Sequence, residues 1–154
     1  MIAARDAIDP GTRVNDMLVV AGVAQRANAS LFGYYCDPVV MSAGRRTRVC
    51  GARVPHVSRL FVGHGIFGPE RTIEKSWNRT TWDLWIDGQH VDLVEFGTTD
   101  RWLFDYPPAG FQDVVLREWS IMLVGPQGRH TIRYRTRWPN GVIDTTWKFL
   151  VAPS

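Results

Sequence analysis

No stretch of this sequence reaches the ~18 consecutive apolar residues of a membrane-spanning helix. The nearest approach, residues 17–23 (MLVVAGV), is too short and lacks the basic flank and cleavage site of a signal peptide. Export would therefore need a leader upstream of Met1. The metal-binding spacings C-x-x-C, H-x-H and H-E-x-x-H are missing, and so is the G-x-S-x-G elbow of serine hydrolases. Ser58, Ser76 and Ser120 stand without a nucleophile motif. Neither a metal nor a cofactor is expected. Charge of one sign is also in short supply. A net charge of +3 is too small for the phosphate-neutralising footprint of a duplex-binding protein, so no nucleic acid is expected.

Lysine is nearly absent. Of 18 basic residues only Lys75 and Lys148 are lysines. Two readings of the arginine excess are open: a GC-rich coding bias, or a surface that grips carboxylate or phosphate with the bidentate guanidinium fork. Cysteine is scarce too, with only Cys36 and Cys50. A bridge between them would close a short loop, stabilise by about 3 kcal/mol and imply an oxidising compartment. Two free, buried thiols are the alternative.

What the sequence does have is enough apolar material for one full core. Its 154 residues are 45% hydrophobic and 21% charged, the balance of a folded domain rather than a disordered chain. Seven tryptophans exceed what such a core needs, which predicts one or two at the surface.

The apolar periodicity is that of strands. Residues 1–16 are polar with a turn signal at Asp9-Pro10-Gly11, and read as a loose terminus before a β domain over 17–154. Residues 57–62 form a short strand, which Gly63-His64-Gly65 interrupts to open a loop over 63–70. Residues 70–78 have room for one short helix. Trp82, Leu84 and Ile86 share a face opposite Thr81, Asp83 and Trp85, and Asp87-Gly88 predicts a two-residue hairpin. Residues 96–112 read as a long, turn-rich loop of the kind that carries function. Residues 115–124 are apolar on both faces, which predicts a central strand and the longest one. Ile132, Tyr134, Thr136 and Trp138 alternate with Arg133, Arg135 and Arg137. After the turn at Pro139-Asn140-Gly141, Ile143, Thr145, Trp147, Phe149 and Val151 share one face. These last two strands read as the edge of a half-buried antiparallel sheet. The architecture expected is all-β: a single antiparallel β-sandwich, with a small closed β-barrel as the alternative.

The closing pattern, Gly128-Arg-His-Thr-Ile-Arg-Tyr-Arg followed by Thr146-Trp-Lys-Phe-Leu-Val, resembles the last two strands of bacterial immunoglobulin-like and fibronectin type III-like modules. The stretch Thr80-Thr-Trp-Asp-Leu-Trp-Ile-Asp-Gly is similar to a hairpin of uncharacterised exported bacterial β-domains. Together these cover about a third of the chain. Cys36 and Cys50 stand too close to be an antibody-type inter-sheet pair around a core tryptophan. The resemblance implies an immunoglobulin-like sandwich outside the cytoplasm and no catalytic residues.

Three functions follow as expectations. The first is an exported, non-catalytic module binding a protein or small ligand at the cell envelope, through the 97–112 and 63–70 loops or the Arg133/Arg135/Arg137 stripe. The stripe also has a plainer reading, a charged face that blocks edge-to-edge aggregation. The second is a small enzyme with a Trp-lined pocket. There His64 and a carboxylate such as Asp83 or Asp105 would do acid–base work on a hydrophobic substrate. The third is a carbohydrate-binding module stacking sugars on rings such as Trp85, Trp102 and Trp138, with Tyr106, whose plainer reading is a second packed face.

Overall fold

The computed structural model describes residues 7–31 and 44–153, with the backbone alone at 44–50 and Ala52. Cys36 and the Cys50 side chain, and with them the expected bridge, lie outside the described residues.

Three local devices set the strand order. Asn15 and Asp16 take left-handed backbone angles (φ 46° and 65°), closing a two-residue hairpin between β1 (Thr12–Val14) and β2 (Met17–Ala21). Part of the terminus expected to be loose is thus a strand, and Ile8 before it is fully buried and bridges to Val91. Asp87 and Gly88 (φ 47° and 82°) make the same turn between β7 (Thr81–Ile86) and β8 (Gln89–His90). Pro139 and Asn140 join β12 (Gly128–Trp138) to β13 (Gly141–Val151).

One sheet runs β4-β13-β12-β7-β8, with β4 (Gly44–Val54) parallel to β13 along its whole length. A second runs β1-β2-β11-β5-β3, using β3 (Ala29–Ser30), β5 (Arg59–Phe61) and β11 (Ile121–Val124). A third holds β6 (Gly65–Pro69), β10 (Val114–Trp119) and β9 (Thr98–Trp102). Helix α1 (Glu70–Asn78) follows β6, and the single turn α2 (Leu93–Phe96) follows β8. The fold is mostly β and sandwich-like, and none of the described sheets closes into a barrel.

The second and third sheets are halves of one layer. Phe61 pairs with Met122 and Gly65 with Glu118, so the same antiparallel register resumes with no residue inserted. Between them the Val62 N–H donates to the Ile121 carbonyl (3.0 Å) and the Trp119 N–H to the His64 carbonyl (3.0 Å). Gly63-His64-Gly65 is therefore a distorted stretch of paired strand, not the start of a loop. The glycines are there for close approach. A methyl group on Gly63 would overlap the Trp119 carbonyl oxygen, and one on Gly65 the Arg117 carbonyl oxygen.

Two further expectations change. Residues 98–102, expected in a loop, form β9 along β10, because Thr98–Trp102 finds backbone partners there. The apolar run 115–124 is central, but it divides at Ser120 and is shorter than β12 or β13. The core lies between the layers, where Leu60, Leu123 and Val19 meet Leu84, Ile132, Trp147 and Phe149 in one apolar cluster. No helix among the described residues is long and apolar enough to cross a membrane.

His130 pins the turn of β7–β8 to this core. Its Nδ1 lies 2.7 Å from Asp87 Oδ2 and its Nε2 3.1 Å from the Gln127 carbonyl. Both partners are acceptors, an arrangement that favours the imidazolium, in which both ring nitrogens donate. Burial pulls its pKa down. The Asp87 hydrogen bond and charge, with the Gln127 and Pro126 carbonyls, outweigh that and leave it raised. Burial raises the Asp87 pKa, but hydrogen bonds from His130, the Thr131 N–H and Asn15 carry it below the usual value.

Candidate functional site

An open cleft of about 970 Å³ lies where β6 and β10 face β12 and β13. Strand alternation supplies its walls. Tyr134, Thr136 and Trp138 are the inward positions of β12, and Ile143 continues them on β13. Phe67 and Leu116 oppose each other across β6 and β10, and Phe67 is 65% exposed. The walls are therefore aromatic and aliphatic, the usual lining for a small ligand.

Polar groups converge at two places. Glu118, 8% exposed, comes from β10 on the same face as Leu116, and its Oε1 accepts a hydrogen bond from Arg101 Nε at 2.9 Å. The pair is one-sided: the Arg101 side chain is 42% exposed and the Glu118 side chain 11%. Arg79, just past α1, brings a second guanidinium to the rim. The other place is His64. Its ring lies 4.1 Å from Tyr134 and 5.1 Å edge-on from Trp82, and its Nε2 is 3.3 Å from the Thr136 hydroxyl. Burial lowers its pKa to about 3, because this apolar enclosure cannot solvate an imidazolium. The ring is neutral through the physiological range.

Of the residues singled out from sequence as ligand groups, His64 and Trp138 line the cleft. Asp83, Trp85, Arg133 and Arg135 gather instead on the outer face of the β12 sheet. Arg133 holds Asp144 in a bidentate fork (2.9 and 2.6 Å), and Arg135 Nη2 lies 3.3 Å from Asp83 Oδ2, which His90 also approaches at 3.2 Å through Oδ1. Both guanidinium carbons lie over the Trp85 ring, at 4.7 and 5.3 Å. β12 is flanked by β7 and β13, so the stripe crosses the middle of a sheet rather than guarding an edge. Two of its three charges already have carboxylate partners. Arg137 is exposed.

The Arg133–Asp144 pair yields a contrast. The Asp144 side chain is 6% exposed, so removing Arg133 takes a bidentate guanidinium fork from a buried carboxylate. Arg133→Ala is expected to cost about 1–3 kcal/mol in urea denaturation, and Arg137→Ala less than about 0.5 kcal/mol. Equal costs would show that the stripe acts only as a charged surface.

Trp102 (52% exposed) ends β9, and Tyr106 (95%) lies in the 103–113 segment that also carries Asp105. The cleft residues to which sequence reasoning gave no part in a site include Arg101 and Tyr134. Glu118 left a signal: a carboxylate at an inward position of the apolar run VVLREWSIMLV is costly unless it has a partner and a purpose.

Fold and cleft together define a β-sandwich-like domain with an aromatic-walled opening between its layers. Comparison with protein-family models, curated proteins and solved structures finds no match to this chain.

Proposed function

We propose that this protein is a non-catalytic, immunoglobulin-like binding module that takes a small, largely apolar ligand with an acidic or polar end. The observation that carries this reading is the cleft itself. Its walls are Phe67, Leu116, Tyr134, Trp138 and Ile143, and two guanidinium groups, Arg79 and Arg101, stand at its polar side against one carboxylate, Glu118. Apolar walls supply affinity, and a few charged groups set orientation.

Support for a binding rather than catalytic role comes from the acid–base groups. His64 is neutral and enclosed, Asp83 sits on the opposite face of its strand bonded to Arg135 and His90, and Asp105 belongs to the exposed 103–113 segment. No pair of these can hand a proton across the cleft. A sugar platform at Trp85 is disfavoured because two guanidinium groups already stack on it.

The test uses 8-anilinonaphthalene-1-sulfonate, an apolar ring system with one anionic end. Native protein is expected to bind it at one saturable site with enhanced emission. Ile143→Trp, which fills the cleft from a half-buried position, is expected to weaken binding at least about tenfold while the cooperative thermal transition persists. Unchanged binding in that folded variant overturns the cleft as the site.

A further inference from the structure

The outer face of the β12 sheet continues past the arginine stripe. Two cross-strand rows lie beyond Arg133. Thr131, Lys148 and Gly51 stand opposite one another on β12, β13 and β4, and so do Arg129, Leu150 and Arg53. Directly opposed residues share a face, so Arg53, Lys148 and Arg129 stand on one side of the sheet. All three line a hollow of about 530 Å³ that shares no residue with the cleft. Strand spacing roots Arg53 and Arg129 ~10 Å apart, with Lys148 on the strand between them.

Two features point to an anionic ligand. One is unmatched charge. The three cations are exposed and none has a carboxylate partner among the described residues, whereas Arg101, Arg117, Arg133 and Arg135 each have one. No Asp or Glu lines the hollow, and outside the described residues the sequence holds only two, Asp6 and Asp37. His130 lines it too, but its ring is taken up by Asp87 and the Gln127 carbonyl.

The other feature is Gly51. A glycine inside a strand weakens it, and marks a bulge, a bend or the close approach of a ligand or another backbone. β4 pairs with β13 at every position from Gly44 to Val54, so there is no bulge. Gly51 has no left-handed angle, it is exposed, and a methyl group on it would meet only the Lys148 carbonyl oxygen, at 4.0 Å. Unlike Gly63 and Gly65, it answers to no neighbouring strand; its missing side chain leaves the hollow open beside Lys148. We propose that this hollow binds the diphosphate group of a small molecule, Arg53 and Arg129 gripping its two phosphates and Lys148 supplying the third charge. Guanidinium forks match phosphate oxygens, and the ammonium acts as a point charge. A single phosphate carries about two negative charges near pH 7 and would leave one cation unmatched.

The probe is inorganic pyrophosphate, titrated calorimetrically into the full chain at ~50 mM salt, where screening is modest. Orthophosphate is its comparison. Pyrophosphate is expected to bind at one site, at least about tenfold more tightly than orthophosphate. Arg53→Ala, Arg129→Ala and Lys148→Ala are each expected to weaken it about five- to tenfold and to keep the parent melting temperature, because exposed cations without partners contribute little to stability. Gly51→Val keeps every charge and suits an exposed strand position; by filling the hollow it is expected to weaken pyrophosphate at least about tenfold. Arg137→Ala removes an exposed cation of the same face outside the hollow and is expected to change nothing, as is Ile143→Trp in the cleft.

If Arg137→Ala weakens pyrophosphate as much as Arg129→Ala does, the anion answers to general surface charge and the proposal fails. It fails too if Gly51→Val binds with full affinity or if orthophosphate binds as tightly. A melting temperature lowered by more than about 3 °C in one of the three alanine variants would show that the cation already has a partner within the protein, and overturns the site. Loss of binding in Ile143→Trp but not in Gly51→Val would put the anion against Arg79 and Arg101, overturning this site while leaving the cleft reading in place.

Discussion

Gly65→Ala is expected to remove about 4 kcal/mol or more, enough to abolish cooperative unfolding in a domain whose total stability is of the usual 5–15 kcal/mol. The new methyl group has nowhere to go. It would coincide with the Arg117 carbonyl oxygen, and the Arg117 carbon and Glu118 Cα lie 2.6 and 2.8 Å from the same point. All three are backbone atoms of the neighbouring strand and cannot rotate aside. The remaining escape is to part β6 from β10, which costs the pairing that carries Glu118 and the cleft wall. Gly63→Ala faces the same obstacle at the Trp119 carbonyl. Gly88→Ala is the control. It has a left-handed backbone angle of 82° but open space around it, so it should cost only about 1–2 kcal/mol. Urea denaturation followed by tryptophan emission separates the two cases. A Gly65→Ala protein within about 1 kcal/mol of the parent would mean that the strands do not approach this closely.

The second large effect is a loss of stability in mild acid that belongs to His64. Its folded-state pKa of about 3 lies below the unfolded value of 6.5, so the unfolded chain holds the extra proton between those limits. Stability therefore falls as pH drops from 6.5 toward 3, by about 1.4 kcal/mol per unit, or roughly 2.5 kcal/mol by pH 4.5. The other displaced groups do not slope in the upper part of this window. His130 has a raised pKa, so its contribution is complete below 6.5 and is lost only as pH rises through the folded value. Asp87 has a lowered pKa, so its contribution is complete above 3.8 and is lost only in stronger acid. His64→Phe should flatten the stability profile between pH 6.5 and 4.5, whatever it does to absolute stability. A profile that keeps its slope in this variant would assign the acid loss to another group.

These two predictions fall on adjacent residues, and the sequence marked the place without giving the reason. Gly-His-Gly after a strand reads locally as an interruption, because glycine is common where a strand stops. Here the strand continues, and glycine is required by the carbonyls of residues 117 and 119, more than fifty positions away. The arginine stripe shows the same division. Period-2 spacing placed Arg133, Arg135 and Arg137 on one face, and the burial of Ile132 and Thr136 agrees. Spacing could not tell that β7 and β13 would set Asp83 and Asp144 against two of them.

The candidate site divides in the same way. His64 was visible as an odd residue between two glycines. Phe67 and Arg101 read as loop residues until β6 and β9 paired with β10. The tryptophans were conspicuous by number, but only the meeting of α1, β7 and β10 made three of them one cluster.

By itself, the sequence determined what depends on neighbours within a few residues. That covers the strand alternation of 132–138 and 143–151, the two-residue turn at Asp87-Gly88, the short helix at 70–78 and the all-β class. Side-chain direction and turn geometry are local properties, set by φ, ψ and a period of two. Tertiary structure alone decided which charges are neutralised, why Gly63 and Gly65 are glycines, that His64 is neutral, and where the cleft opens. Each of these depends on distances between residues far apart in the chain, and desolvation and steric overlap act only once those distances exist.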